Sequence, residues 1–261
     1  MFQTSVLASG SKGNSILIRT GKSAILLDAG LSGKKIIELL ESINVSPESL
    51  NGIVISHEHG DHIQGAGILC RKLNIPLYIT KLTHSVCSYR LGKLPAGKTY
   101  FETGKKFEIG DIKIKAFQSS HDVIDGCNFV FWKKGDNKRK LAIATDLGYS
   151  SRLMLHNLQD CTTIILESNH DVEMLLNGPY PPHLKQRIKS RQGHLSNEQA
   201  VGVITQVLHP GLNNLILAHL SEKNNLPKKA EKLMSNFLRE VDHNLNLQVS
   251  SQYEATALIN V

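Results

Sequence analysis

The sequence predicts an α/β protein in which β-sheets pack on each other and helices cover the outside. Three observations support this fold class. Short runs rich in β-branched residues recur along the chain, helical periodicity appears between some of them, and strand-like runs return at the end. The chain has 261 residues, of which 41% are hydrophobic and 20% charged, so it can bury a large core and is not expected to be disordered.

The predicted strands are short apolar runs bounded by polar residues or glycine. In chain order these runs are TSVLAS, SILIRT, SAILLDAG, GIVISH, PLYIT, IKIKAFQSS, NFVFWKK, KLAIATD, TTIILES, NLILAHL and NLQVSSQYEATALINV. Because no internal repeat and no long linker separates them, we expect a single domain over residues 1–261.

Three segments predict helices. Apolar residues from Ile36 to Leu40 form one stripe, SNEQAVGVITQVL opens with a Ser-Asn capping signal, and LPKKAEKLMSNFLREV has Pro227 near its first turn. The least regular region is 169–194, which has three prolines and an alternating series of Lys and Arg. We predict that this region is a basic, proline-rich active-site loop.

Composition and hydropathy indicate where the protein is found and which kinds of partner it can bind. The net charge of +7 is compatible with a polyanionic partner. The four cysteines are scattered, as is usual for reduced packing residues. The N-terminus has no basic leader, and no segment approaches the roughly 20 apolar residues that span a membrane. We therefore expect a cytoplasmic protein with no membrane partner.

The stretch ISHEHGDHIQG, residues 55–65, concentrates metal-binding side chains directly after a predicted strand. Imidazole and carboxylate groups suit divalent zinc, manganese or iron. One short loop cannot easily wrap a single ion with four such groups. We therefore expect His57 and His59 to bind one ion, Asp61 and His62 to bind another, and further ligands to come from elsewhere.

Three more predicted strands each end in one ligand-type side chain. His121 follows IKIKAFQSS, Asp146 follows KLAIAT, and His219 follows NLILA. Taken singly, each is more simply explained as a capping Asp or a hydrogen-bonded core His. Ligand-type groups at four strand ends favour a shared metal site, because strand ends in α/β proteins commonly bind ligands.

The pattern HxHxDH after a strand, then a lone His, a lone Asp and a final His, resembles the metallo-β-lactamase-fold hydrolases over essentially the whole chain. The resemblance implies a four-layer αββα sandwich without a β-CASP cap domain, and two divalent metal ions, zinc or manganese, at a sheet edge. It also implies roles for the side chains: His57, His59 and His121 on one ion, Asp61, His62 and His219 on the other, Asp146 bridging, and Asp28 orienting a ligand.

Four dispersed blocks narrow the resemblance. LASGSKGNS, ESNHD, GHLSN and LAHLSEKNN resemble the bacterial YycJ/WalJ subgroup, which implies a DNA exonuclease that cleaves phosphodiester bonds with a metal-activated water. DNA is the expected substrate in preference to RNA. No cysteine follows the ligand-bearing strands, and Asp61 is typical of phosphoester, thioester and lactone hydrolases, which disfavours antibiotic hydrolysis.

Catalytic roles follow from a more distant resemblance to the β-CASP nucleases, in which an acidic residue pairs with a His in a Gly-His motif. Glu167 and His194 occupy comparable places here, although the large insert between those motifs is missing. A carboxylate that stabilises an imidazolium prepares it to act as a general acid for the leaving oxygen. His170 is an alternative for the same role.

Substrate contacts are predicted in two places. Ser11 and Asn14 in GSKGNS can present a phosphate-binding loop, although the same loop also reads as a hairpin turn. Lys185 and Arg187 belong to an alternating basic series in HLKQRIKSRQ that would form a strip along a phosphate backbone. A second basic group, at 133–140, is equally well explained as a solvated hairpin.

Two other functions compete with a nuclease. A small-molecule hydrolase of the same fold would use the same metals on a cyclic phosphodiester, thioester or lactone. A nucleic-acid-binding or regulatory protein would keep the metals as structural elements. The second alternative is disfavoured because all seven expected ligands are present.

Overall fold

The computed structural model describes residues 1–136 and 138–261, which form two seven-stranded sheets. The first has the order β14-β1-β2-β3-β4-β5-β6, built from β1 (Phe2–Ala8), β2 (Ser15–Thr20), β3 (Ala24–Leu27), β4 (Leu50–Val54), β5 (Leu77–Ile79), β6 (Lys98–Tyr100) and β14 (Ile259–Asn260). The second has the order β13-β12-β11-β10-β9-β8-β7, built from β7 (Lys106–Ile109), β8 (Ile112–Gln118), β9 (Cys127–Lys133), β10 (Leu141–Ala144), β11 (Thr163–Glu167), β12 (Asn214–Ala218) and β13 (Asn246–Val249).

Helices connect the strands. Along the first sheet they are α1 (Gly33–Ser42), α2 (Gly60–Ile63), α3 (Ala66–Leu73) and α4 (Lys81–Leu91), with a 3-10 turn at Pro47–Ser49. Along the second sheet they are α5 (Arg152–Leu158), α6 (Val172–Asn177), α7 (Pro182–Lys189), α8 (Asn197–Val207) and α9 (Pro227–Glu240). Within the described residues, every helix is too short or too polar to cross a membrane.

Strand alternation divides the core into layers. Ile16 and Ile18 of β2 point into the apolar layer between the sheets, whereas Leu17 points outward to pack with Ile36 and Leu40 of α1. A matching outer layer joins the second sheet to α5, α8 and α9. These layers confirm the predicted four-layer αββα sandwich, and the described residues contain no additional cap domain.

Two segments differ from the sequence prediction. The C-terminal run does not form one strand: β13 and β14 belong to different sheets, and the polar segment between them crosses over. Region 169–194 is not irregular, because it contains α6 and α7. The Asp171 side chain caps α6 by accepting from the Met174 N–H, and Pro182 begins α7, where the missing N–H of proline costs nothing.

Strand direction brings the predicted ligand positions together. β8 and β10 are both antiparallel to β9, and β10, β11 and β12 are parallel, so the carboxyl ends of these four strands share one edge of the second sheet. In the first sheet, β3 and β4 are parallel as well. Loops that follow these strands therefore leave from common edges.

Gly30 permits a close backbone contact beneath this edge. A Cβ atom at position 30 would lie 1.6 Å from the carbonyl oxygen of Asp61. We expect Gly30→Ala to lower the free energy of unfolding by about 3 kcal/mol, because the backbone must shift. Urea denaturation measures this change.

Gly202, within α8, is the matched control, since a Cβ there meets nothing within 4 Å. Gly202→Ala is expected to stabilise the protein by about 0.5–1 kcal/mol through helix propensity. Equal effects of the two substitutions would contradict the close contact at Gly30.

Candidate metal centre

Three of the predicted site residues follow strands in a left-handed backbone conformation. The φ angles are 61° at Asp28, 57° at Asp146 and 57° at His219. Such positive φ values are uncommon outside glycine and cost energy, and residues that keep them cluster at functional sites. The three backbones turn sharply where β3, β10 and β12 end, at the shared edges described above.

The seven predicted ligands meet at one cavity of about 240 Å³. Five of them line it: His59, Asp61, His121, Asp146 and His219. His57 and His62 are fully buried next to these residues. The structure therefore brings together all the side chains that the sequence assigned to metal binding.

A first group consists of His57, His59 and His121, whose ring nitrogens lie within 4.8 Å of one another. His121 Nδ1 is 3.2 Å from the Gly193 carbonyl, which can only accept, so this nitrogen carries the proton and Nε2 keeps its lone pair. His57 is oriented by the Ser56 hydroxyl, 2.9 Å from its Nδ1.

A second group consists of Asp61, His62 and His219. Asp61 Oδ2 is 3.6 Å from His62 Nε2 and 3.9 Å from His219 Nε2. His62 Nδ1 donates to Asp28 at 2.8 Å, and His219 Nδ1 donates to Glu167 at 2.8 Å. Because Nδ1 makes these contacts, the Nε2 atom of each imidazole faces the Asp61 carboxylate.

Asp146 lies between the two groups. Its Oδ1 is 3.8 Å from His121 Nε2 and 3.6 Å from His219 Nε2, and its Oδ2 is 3.5 Å from His62 Nε2. One carboxylate thus faces imidazoles of both groups. This is the position that a bridging ligand requires.

Unsatisfied buried atoms test whether these residues fit a cation. His57 Nε2, Asp146 Oδ2 and His219 Nε2 are buried and have no hydrogen-bond partner among the described residues. Buried polar atoms without partners are rare and costly. A divalent cation would satisfy all three, and a set of imidazole and carboxylate donors suits such an ion. The residues therefore fit a divalent metal ion.

The electrostatics of the site agree with this fit. Burial lowers the pKa of His57 well below its ordinary value, which keeps the ring in the neutral, metal-binding form. Burial also lowers the pKa of His62, but the negative charges of Asp28 and Asp146 have the larger effect and raise the His62 pKa to about 9. Burial would raise the pKa of Asp146, yet the surrounding imidazoles, His219 foremost, hold it below its ordinary range. The carboxylates therefore favour positive charge in this cavity.

Asp28 supports the second group from behind. Its carboxylate accepts hydrogen bonds from His62 Nδ1, from the Ser56 N–H and from the Ser56 hydroxyl, each at 2.8 Å. The sequence did not single out Ser56, whose hydroxyl contacts both Asp28 and His57. Its position between a strand and HxHxDH is the only signal that could have indicated this role.

The GSKGNS loop contributes one cavity residue and one support. Ser11 lines the cavity. Asn14, in contrast, is buried: its N–H donates to the Asp61 carbonyl at 2.7 Å, and its Nδ2 lies 3.3 Å from Asp61 Oδ2 and 3.1 Å from His62 Nε2. Asn14 thus holds the HxHxDH loop and is not placed to contact a substrate, because its amide is used within the fold.

Glu167 connects the metal site to His194. Its Oε1 is 2.8 Å from His194 Nδ1 and from His219 Nδ1, and its Oε2 accepts the N–H groups of Leu147 and Leu195. Burial alone would raise the pKa of Glu167, but His194 and His219 hold it well below its ordinary value. His194 also lines the cavity, with 19% of its side chain exposed.

His170 occupies a different environment. It is buried, and the described residues that line the cavity do not include it. Burial lowers its pKa to about 4, so the ring is neutral near neutral pH and has no proton in excess to donate. Between the two histidines considered for proton transfer, the geometry favours His194.

The alternating basic series does not form a one-sided strip, because Lys185, Arg187 and Lys189 lie on helix α7, where residues two apart point away from each other. Arg187 lines the cavity, and Asp122 holds its guanidinium at 2.7 Å. Lys185 instead donates to the Leu176 carbonyl and is not among the described lining residues. In the group at 133–140, where position 137 is outside the described residues, Lys134 and Arg139 form local ion pairs with acidic neighbours.

Comparison with known proteins agrees with the fold and identifies the family. The model of the metallo-beta-lactamase superfamily matches residues 8–131. Exodeoxyribonuclease WalJ of Streptococcus pneumoniae is 42% identical over 92% of this chain and 90% of that protein. Exodeoxyribonuclease YycJ of Bacillus anthracis is 38% identical over 90% of this chain and 89% of that protein. The metallo-beta-lactamase fold protein YhfI from Bacillus subtilis superimposes with a TM-score of 0.74 at 16% identity, covering 98% of both chains, which supports the fold alone. The chain therefore belongs to the WalJ/YycJ family of the metallo-beta-lactamase superfamily.

Proposed function

We propose that this protein is a metal-dependent phosphodiesterase that acts as a DNA exonuclease. The observation that carries the proposal is the arrangement of two three-residue ligand groups on either side of Asp146. Such a pair of sites suits two ions that clamp one phosphate, about 3.5–4 Å apart. Zinc and manganese both match the nitrogen and oxygen donors.

The choice of DNA as substrate is supported by the relatives and by the charge of the chain. WalJ and YycJ each align with about nine-tenths of this chain, and both are named exodeoxyribonucleases. The net charge of +7 favours association with a polyanion. Arg187 adds a cationic group at the cavity itself.

Each protein group has a separate task in the proposed reaction. The seven ligand side chains would hold the ions, which when bound supply a Lewis acid and a water of lowered pKa. Arg187, held by Asp122, binds a phosphate oxygen. His194 donates a proton from Nε2 to the leaving oxygen, since Glu167 engages its Nδ1. Glu167 is buried and accepts hydrogen bonds from five donors, which keeps the His194 ring in one orientation.

The proposed function is tested by incubating the metal-reconstituted protein with end-labelled DNA and RNA, single- and double-stranded, with zinc, with manganese and with chelator. We expect stepwise shortening of DNA from one end that stops on chelation. Turnover of a thioester or lactone without cleavage of DNA would contradict the proposal and favour a small-molecule hydrolase.

Asp28→Asn is expected to weaken metal binding by about 10–100-fold, because the orienting partner of His62 loses its charge. Asparagine tolerates the positive φ at this position, so the backbone can be kept. Competition with a chromophoric chelator measures the affinity. Asp242→Asn, an exposed residue that also has a positive φ of 49°, is the matched control. Equal metal affinity in both variants would mean that Asp28 does not orient a ligand.

A further inference from the structure

A second cavity opens directly beside the metal cavity. Its volume is about 570 Å³, and His121 lines both. This volume falls within the ~300–1,000 Å³ that is usual for small-ligand sites. A polynucleotide strand with one phosphate at the metal site can therefore continue past His121 into this second cavity without leaving the protein surface.

The wall of the second cavity has the chemistry of a nucleotide site. The guanidinium of Arg191 stacks on the ring of Tyr149, with its central carbon 4.3 Å from the ring centroid. The rest of the wall consists of hydroxyl and amide side chains, with two apolar ones: Gln118, Ser119, Ser120, Ser151, Gln192, Val123 and Leu153. None of the described lining residues is acidic, so nothing in the wall repels a phosphate.

Arg191 differs from Arg187 in the availability of its charge. Arg187 shares its charge with Asp122 in an ion pair, with contacts of 2.7 Å. Arg191 is exposed and forms no ion pair with the carboxylates of residues 1–136 and 138–261; its partner is the Tyr149 ring. An arginine stacked on a tyrosine offers a flat cationic face to a base and N–H groups to a phosphate.

The stack is held in place by close backbone packing. The Gly148 N–H donates to the Ser120 carbonyl at 2.9 Å. A Cβ atom at Gly148 would lie 2.2 Å from the carbonyl carbon of Arg191, so only glycine allows this approach. The segments that carry Ser120, Tyr149 and Arg191 are thereby fixed against one another next to His121.

We infer that the second cavity is a subsite for the nucleotide attached to the scissile phosphate, with its base stacked on the Arg191–Tyr149 pair and its outer phosphate bound by Arg191. This inference rests on the proposed nuclease function and specifies how the polynucleotide chain runs: from the metal site, past His121, along Tyr149. A substrate without a nucleoside gains nothing from this surface.

Steady-state kinetics on two substrates test the subsite. We compare a short single-stranded oligodeoxynucleotide with bis-p-nitrophenyl phosphate, which has a phosphodiester but no base. Tyr149→Ala and Arg191→Ala are each expected to raise KM for the oligonucleotide about 10-fold, with kcat little changed, as loss of one stacking contact predicts. Arg191→Ala should also reduce the slope of log affinity against log salt by about 1. Activity on bis-p-nitrophenyl phosphate should stay at the wild-type level.

Controls separate stacking from general surface effects. Tyr149→Phe keeps the ring and should keep the wild-type KM. Tyr89→Ala and Arg239→Ala remove the same types of side chain elsewhere, Tyr89 from the exposed face of α4 and Arg239 from α9. Neither variant should change KM or kcat for either substrate.

Two results would overturn the subsite in distinguishable ways. Wild-type cleavage of the oligonucleotide with unchanged KM in Tyr149→Ala and Arg191→Ala would contradict the subsite alone. Wild-type turnover of bis-p-nitrophenyl phosphate with no cleavage of any oligonucleotide would contradict the nuclease function and, with it, the subsite.

Discussion

Asp146→Asn is expected to lower kcat/KM for any phosphodiester by roughly a thousandfold, or about 4 kcal/mol of transition-state stabilisation. Among the described residues, this is the only carboxylate within 4 Å of imidazole nitrogens of both ligand groups, at 3.5–3.8 Å, and one of its oxygens is buried without a partner. An amide retains the shape but removes the negative charge that a shared ligand needs. Hydrolysis rates and metal content, measured on the same preparation, check this result.

The choice of asparagine keeps the backbone intact. Asp146 has a φ of 57°, which asparagine adopts more readily than alanine does. Asp160→Asn is the matched control, because Asp160 has a φ of 59° on an exposed loop. We expect the control to keep full activity and two bound ions. Wild-type kinetics in Asp146→Asn would show that no bridging carboxylate is needed.

His194→Ala is expected to reduce DNA cleavage by about 10²–10⁴-fold without loss of metal. His194 lies at the cavity, with Nδ1 bound to the buried Glu167, and it is not one of the seven predicted ligands. Its loss removes a proton donor and leaves the ligand groups in place. Rates on labelled DNA, together with metal analysis, measure the two effects separately.

The leaving group distinguishes proton donation from a structural role. An alkoxide leaving from DNA needs a proton, whereas p-nitrophenolate is a stable anion and leaves without one. His194→Ala should therefore keep activity on bis-p-nitrophenyl phosphate within about 10-fold of the wild type. His183→Ala, an exposed histidine on α7, serves as the control. Equal losses of His194→Ala on both substrates would contradict the role of a general acid.

The side chains that meet at the candidate metal centre could be identified from the sequence because their chemistry is local. HxHxDH places four donors in one loop, and the other predicted ligands each stand directly after an apolar run. Their convergence follows from the rule that the carboxyl ends of parallel strands lie at the same edge of a sheet. The structure adds the left-handed backbone at Asp28, Asp146 and His219, which single-residue propensity does not indicate.

The supporting contacts could not be predicted in the same way, because they join residues far apart in the chain. The glycine-rich loop predicts that Asn14 contacts a phosphate, yet in the fold its amide points toward Asp61, 47 positions away. The basic series in 169–194 predicts an extended strip, yet Pro182 begins a helix on which Lys185 and Arg187 point in different directions. In both cases tertiary packing decided a conformation that local pattern left open.

A crystal structure of the protein reconstituted with zinc or manganese, with anomalous scattering recorded at the metal edge, tests the dinuclear site most directly. We expect two anomalous peaks about 3.5–4 Å apart, one beside His57, His59 and His121, the other beside Asp61, His62 and His219, with Asp146 touching both. A single peak, or peaks that lie away from Asp146, would contradict a two-ion centre.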